Sequence, residues 1–531
     1  MRSGKFGLSI VVGIVAVLST TIASAAESVI AVKAKRVYTA AGEVVDNGVV
    51  VIKDGKISAV GAGIAIPAGA KVIDAGEGSV TPGLIDALCL VDSEIPQQGW
   101  FFSEFECPVC TELHRRHIKV VNGGAYVDSS CGGGWRDCPA CLAEHRQADH
   151  GCPVHGKDSG GDPWAKLAAQ AKAAAEQRLH EGHAHADGEE DVCSGICAGP
   201  KTAADDIAQL AVGAAWRTSW AEHSSEVTPH INVIDSVNLQ SKDFSRLARQ
   251  GVTTVYVAPD SGSVIGARGA VVKTGGPVSQ RIVRSADSVR AAVGRDPISR
   301  GRGNSRPAGY ADFYARRPTT RMGVEFVFRK AFYDAMRWVN QTPRAGADSA
   351  PEAAMPVLAK VLGGEIPLRI LARAQHDIIT GLRLAKEFGL KVTIDDAAQS
   401  FDCIPEIKAS GAAVVFGPLS MASGGFEVDE VRLNTPRRLA DAGVPFALTA
   451  QAMRDEEGLA RQAMLAIRYG LPKDAALAAV TSAPAKILGL PESLGTLKTG
   501  AAADLVIWSG EPFGATSEIK EVMINGELVA E

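Results

Sequence analysis

The sequence predicts an α/β protein built on a mostly parallel sheet, with a small β unit to which both chain ends contribute. From residue 251 onward, short continuous apolar runs alternate with helical stretches, the pattern of parallel strands joined by crossover helices. Residues 28–73 instead show short strands broken by glycine turns, and the last residues return to that texture.

Taken in chain order, the first 25 residues read as a secretory signal. Arg2 and Lys5 precede the apolar run 8–18, and Ala23-Ser24-Ala25 supplies a small-residue cleavage site, so the exported chain is expected to start at Ala26. The apolar run falls short of the ~20 residues needed to span a bilayer. No stable membrane anchor is therefore expected after its removal, and the location is periplasmic or extracellular. The chain has 531 residues, of which 46% are apolar, enough for a large core. Its formal charge of −5 provides no basic footprint, so nucleic acid is not an expected partner. A protein or small-molecule partner stays open.

In "IAVKAKRVYTAAGEVVDNGVVVIKDGKISAVG", Asp46-Asn47-Gly48 and Lys53-Asp54-Gly55 read as hairpin turns, and Asn525-Gly526 near the end reads as a third. The two ends, 26–82 and 485–531, are expected to complete one sheet. Between them, "VTTVYVA", "PLRILA", "LKVTID", "AAVVFG" and "VPFALTA" read as strands. Their unbroken apolar character fits a sheet buried on both faces. Residues 94–225 interrupt this rhythm with Cys, His and Gly followed by an Ala/Lys/Glu-rich helix, and read as an insertion within the body spanning 83–484. Loops on the rim of a barrel accept such insertions.

The segment "SVTPGLIDAL", placed directly after the β unit, resembles the start of the barrel in amidohydrolase-superfamily enzymes, where "TPGLID" leads into a His-x-His pair. "GVTTVYVAPDSGSVIGARGAVVKTGG", "RMGVEFVFRKAFYDA", "IPLRILARAQHDIITGLRLAKEFGLKVTI" and "SAPAKILGLPESLGTLKTGAAADLVIWSGEPF" extend that resemblance, which is to the imidazolonepropionase-related branch. It implies a (β/α)8 TIM-type barrel with a composite β-sandwich made by the two ends, and a site at the C-terminal barrel mouth. Metals there would activate water against an amide or cyclic C–N bond.

The implied ligand positions carry other residues. The His-x-His places hold Leu88 and Leu90, which have no lone pairs. Cys89 between them is expected to face the opposite way, because strand side chains alternate. A later "RIHAH"-like strand corresponds to Arg369-Ile370-Leu371-Ala372-Arg373. Leu371 cannot ligate a metal, and the Arg373 guanidinium stays protonated and repels a dication. The next Glu-His pair corresponds to Asp395 and Asp396, carboxylates that without imidazole resemble a weak hard-cation site more than a zinc site. The late aspartate that would bind metal and move the proton corresponds to Ala450, which can do neither, and Asp455 several residues further on stays open as a displaced substitute. The expectation is a barrel without its metal.

The insertion carries chemistry of its own. Cys107-x-x-Cys110 and Cys138-x-x-Cys141 are spaced like the knuckles of a zinc ribbon, and Cys152, His155, Cys193 and Cys197 offer a second set of donors. Zinc is the cofactor expected there, with disulfides and redox chemistry as the other readings for an exported chain. His180, His183 and His185 form a loose metal-sequestering tract or a solvated linker. Three functions follow. The first is a non-catalytic binding or metal-holding protein, the second an active hydrolase with a rearranged site around Asp395 and Asp396, and the third a redox or metal-handling module in the insertion.

Overall fold

The computed structural model describes residues 29–91, 118–121, 124–127, 222, 225–298, 318–341, 351–419, 432–451 and 458–529. Strands Val29–Tyr38, Val44–Lys53, Lys56–Ala62, Lys71–Asp74 and Ser79–Pro82 from one end join Leu505–Trp508, Ile519–Ile524 and Glu527–Leu528 from the other. Together they form one eight-stranded sheet. The seam is the antiparallel ladder of Ser79–Pro82 with Leu505–Trp508, in which Val80 faces Ile507. Val32, Val37, Val50, Ile52 and Ile57 bury against Leu505, Ile507 and Met523, so residues from both ends share one core.

Two of the expected turns form. Asp54-Gly55 and Asn525-Gly526 take positive φ (52° and 73°; 50° and 80°), the conformation a two-residue hairpin requires. Asp46-Asn47-Gly48 does not turn. Val44–Lys53 runs through it as one strand, and the chain reverses at 39–43, where Ala40 and Gly42 carry the positive φ. Gly48 serves close packing instead, since a Cβ there would meet Val37 Cγ2 at 2.7 Å.

The body is a set of parallel strands. Leu84–Cys89 pairs with Val252–Val257. Val289–Ala292, Leu368–Ala372, Val392–Asp396, Ala413–Phe416 and Phe446–Leu448 then pair in sequence order. The five expected runs are among these strands, and Val289–Ala292 is an addition. Helices Gln375–Glu387, Ile404–Ser410 and Thr435–Ala442 connect successive strands. Their inner faces bury Ile378, Leu382, Ile407 and Leu439 against Ile370, Ile394 and Val414 of the sheet. Thr449, just after the last parallel strand, lies with its Oγ1 2.6 Å from the Leu88 carbonyl oxygen and so brings that strand to the first.

The buried ion pair of Lys273 and Asp504 ties the parallel body to the eight-stranded sheet. The helix Ser482–Ile487, which the expected boundary at 484/485 crosses, packs on Leu84–Cys89 and Phe446–Leu448. Leu497 and Ala501 already belong to the sheet core. Of the expected insertion at 94–225, the described residues are an antiparallel strand pair, Ile118–Val121 with Gly124–Val127, and residues 222 and 225. No helix among the described residues is long and apolar enough to cross a membrane.

Candidate functional site

The C-terminal ends of the parallel strands bring most of the expected barrel positions to one end of the sheet. Leu88 is buried, and with Leu90 it packs against Ile85, Tyr256, Ala258, Val415 and Ala447. Cys89 points away, into the opposite core with Phe244 and Leu247, and burial pushes its thiol well above the usual range. Leu371 is buried at 2% exposure. These side chains line the interior with hydrocarbon and offer nothing to a metal.

Ala450 also contributes no side-chain donor, yet its backbone is used. Its N–H donates to Asp86 Oδ2 at 3.0 Å, the Leu88 N–H donates to Oδ1 at 3.1 Å, and Thr449 Oγ1 lies 2.6 Å from Oδ1. Asp86 is completely buried, and loss of solvation raises it to about 6 against these hydrogen bonds.

The charged residues pair with one another. Arg369 donates from Nε to Asp395 Oδ2 at 3.0 Å and from Nη2 to Oδ1 at 2.6 Å, and Nη2 also reaches the Ala87 carbonyl at 2.6 Å. Its guanidinium lies 4.1 Å from the centre of the Tyr256 ring. Such a fork engages both carboxylate oxygens at once. Arg290 Nε stands 3.7 Å from Asp395 Oδ2, so a single carboxylate lies between two guanidiniums. Gly269 makes room for the tyrosine, because a Cβ there would fall 2.2 Å from the Tyr256 ring.

One step further toward the mouth, Arg373 donates from Nε to Asp396 Oδ2 and from Nη1 to Asp296 Oδ1, each at 2.6 Å. Burial disfavours the charge of Arg373, but the two carboxylates outweigh it and hold the guanidinium protonated. Burial would also raise Asp296, yet Arg373 prevails and its carboxyl falls below the ordinary value. For Asp396 burial wins and the carboxyl is raised. Asp396 and Ala397 take φ of 73° and 47°, strained for residues with a Cβ. This bend turns the Asp396 carboxylate to Arg373. Its Oδ1 is buried with no hydrogen-bond partner among the described residues.

These residues do not fit the metal centre that the resemblance implies. Both oxygens of Asp395 and one of Asp396 accept from guanidiniums, and a dication would have to displace an arginine from its ion pair while itself close to fixed positive charge. Among the described residues no three His, Cys, Asp or Glu side chains group as a metal site. Cys107, Cys110, Cys138, Cys141, Cys152, His155, Cys193, Cys197, the histidine tract and Asp455 lie outside the described residues. The sequence reading passed over Arg290, Asp296, Arg369 and Asp86. Its available signal was a charge inside an otherwise apolar strand, as in "PLRILA" and "SVRAAV", since a buried charge needs a partner.

Comparison with known proteins agrees with the fold. The pattern of the Amidohydrolase family matches residues 373–529. The chain is 27% identical to amidohydrolase tasK of Hapsidospora irregularis over 332 residues, covering 57% of this chain and 33% of that protein. It is 36% identical to imidazolonepropionase of Anaeromyxobacter sp. (strain K) over 140 residues, covering 25% of this chain and 31% of that one. The chain thus spans about a third of the length of these curated relatives. Among solved structures, an amidohydrolase from Thermotoga maritima MSB8 superposes with a TM-score of 0.65 at 22% identity, covering 94% of this chain and 99% of that one. The chain thus carries the Amidohydrolase family pattern in its C-terminal part, resembles amidohydrolases and imidazolonepropionases in sequence, and shares its fold with the Thermotoga maritima amidohydrolase.

Proposed function

We propose that this chain is an exported amidohydrolase-family protein that works without hydrolysis, as a binding or metal-holding protein. In this reading the parallel strands close as a (β/α)8 TIM-type barrel, the two ends form a composite β domain, and arginine–carboxylate pairs stand where the family's metal centre would be. The observation that carries it is Arg373, which spans Asp296 and Asp396 at 2.6 Å each. Hydrolysis of a C–N bond needs an activated water and a group to move its proton. Leu88, Leu90, Leu371 and Ala450 supply neither.

The metal-holding part of the proposal rests on the insertion, where Cys107, Cys110, Cys138 and Cys141 would close one tetrahedral zinc site, with Cys152, His155, Cys193 and Cys197 as a second set. A second reading, an active hydrolase with a rearranged site, is favoured by one observation: the bent backbone at Asp396 and its partnerless Oδ1.

One preparation tests both. Zinc is measured in the purified protein and again after Cys107, Cys110, Cys138 and Cys141 are changed to serine, alongside hydrolysis of amides and cyclic amides. The proposal expects zinc to disappear with the cysteines and no hydrolysis. Zinc that persists, together with hydrolysis abolished by Asp396→Asn, would establish the second reading instead.

A further inference from the structure

The helix Arg321–Val339 has two apolar faces where a surface helix has one. Val324, Phe328, Ala331 and Ala335 are buried in the main core. At 3.6 residues per turn, positions 322, 326, 329, 333 and 336 fall within an arc of about 80° on the opposite side. This outward stripe is Met322, Phe326, Arg329, Tyr333 and Met336. Its four apolar members are 77%, 62%, 46% and 42% exposed.

We infer that this stripe is the contact between two copies of the chain, packed antiparallel across a two-fold axis at Arg329. Three features favour a second copy over a different partner. First, the stripe is symmetric about its middle. Met322 lies seven residues before Arg329 and Met336 seven after it, while Phe326 and Tyr333 flank it at three and four. An antiparallel copy therefore sets Met322 against Met336 and Phe326 against Tyr333, as a self-complementary interface requires.

Second, the charges at the axis are balanced within each copy. Arg329 pairs with Glu387 at 2.9 Å and with Glu325 at 3.4 Å, and Arg383 pairs with Glu325 at 3.2 Å. Two guanidiniums and two carboxylates make this cluster neutral within each copy, so the two Arg329 guanidiniums that meet at the axis arrive already paired. Third, the size is adequate. The stripe runs about 21 Å along the helix at 1.5 Å per residue. Its four apolar side chains present on the order of 450 Å² outward, given ~200 Å² for each large side chain. That is the larger part of the ~800 Å² per partner in a standard interface.

The test is sedimentation of the full chain over a wide concentration range, comparing wild type, Met322→Glu, Met336→Lys and the double variant. All substituted positions are exposed, and an unchanged circular-dichroism spectrum certifies the fold. Wild type is expected to dimerise, each single change to weaken the dimer about 30-fold or more, and the double variant to recover most of the loss, because residue 322 of one copy faces residue 336 of the other. A wild type that stays monomeric, a dimer indifferent to the single changes, or a double variant no tighter than the singles overturns the inference.

Discussion

Replacing Arg369 with methionine removes a guanidinium from the strand Leu368–Ala372, whose partner Asp395 lies on the neighbouring strand Val392–Asp396 with no solvent exposure. Two charge-assisted hydrogen bonds to that carboxylate are lost, along with one to the Ala87 carbonyl and the stacking on Tyr256. Breaking a buried ion pair from one side costs about 3–5 kcal/mol, because the remaining charge is left uncompensated. Arg290, 3.7 Å from Asp395, offsets part of this, so the expected loss for Arg369→Met is about 3 kcal/mol, the lower end of that range. The double variant Arg369→Met, Asp395→Leu removes this pair but leaves Arg290 buried without Asp395. It is therefore expected to be less destabilised than the sum of the two single variants by about 1–2 kcal/mol rather than restored to wild type. Urea unfolding of wild type, both single variants and the double variant measures the coupling directly. Single-variant losses below about 1 kcal/mol, or losses that simply add in the double variant, would refute the reasoning that these buried charges satisfy one another.

Two further outcomes follow from the same cluster. Arg373→Met leaves Asp296 and Asp396 without their shared counter-charge, so calcium or magnesium is expected to raise the melting temperature of this variant by several degrees and leave wild type unchanged; equal responses would show that Arg373 does not keep cations out. Asp86 is raised to about 6 by burial, so between its ordinary value of 3.8 and about 6 the native state binds more protons than the unfolded chain. The contribution of Asp86 to stability is therefore present below that window and is lost as pH rises through it, by about 3 kcal/mol in total. Asp86→Asn is expected to flatten that part of the stability profile measured by urea unfolding, and a variant with the wild-type slope would remove Asp86 as its source.

Several elements were legible from local pattern. Asp54-Gly55 and Asn525-Gly526 announced their hairpins because few residues adopt positive φ cheaply. Asp46-Asn47-Gly48 carries the same signal, and Asn47 takes positive φ (49°), yet the segment stays within the strand Val44–Lys53, where a Cβ at Gly48 would meet Val37 of the neighbouring strand. Val289–Ala292 was missed because Arg290 breaks its apolar run, and the reason for that arginine, Asp395, lies more than a hundred residues away.

The amino-acid sequence by itself determined which side chains stand where the resemblance implies ligands: Leu88, Leu90, Leu371, Arg373, Asp396 and Ala450. Whether a residue has a lone pair to donate is a property of its type, independent of fold. Only the tertiary structure decided what those residues do instead. Ion pairing falls off with distance and depends on exclusion of water, and neither can be read along a chain. It took the parallel strands, with their ends brought together, to place Arg369 on Asp395 and to set Arg373 between Asp296 and Asp396.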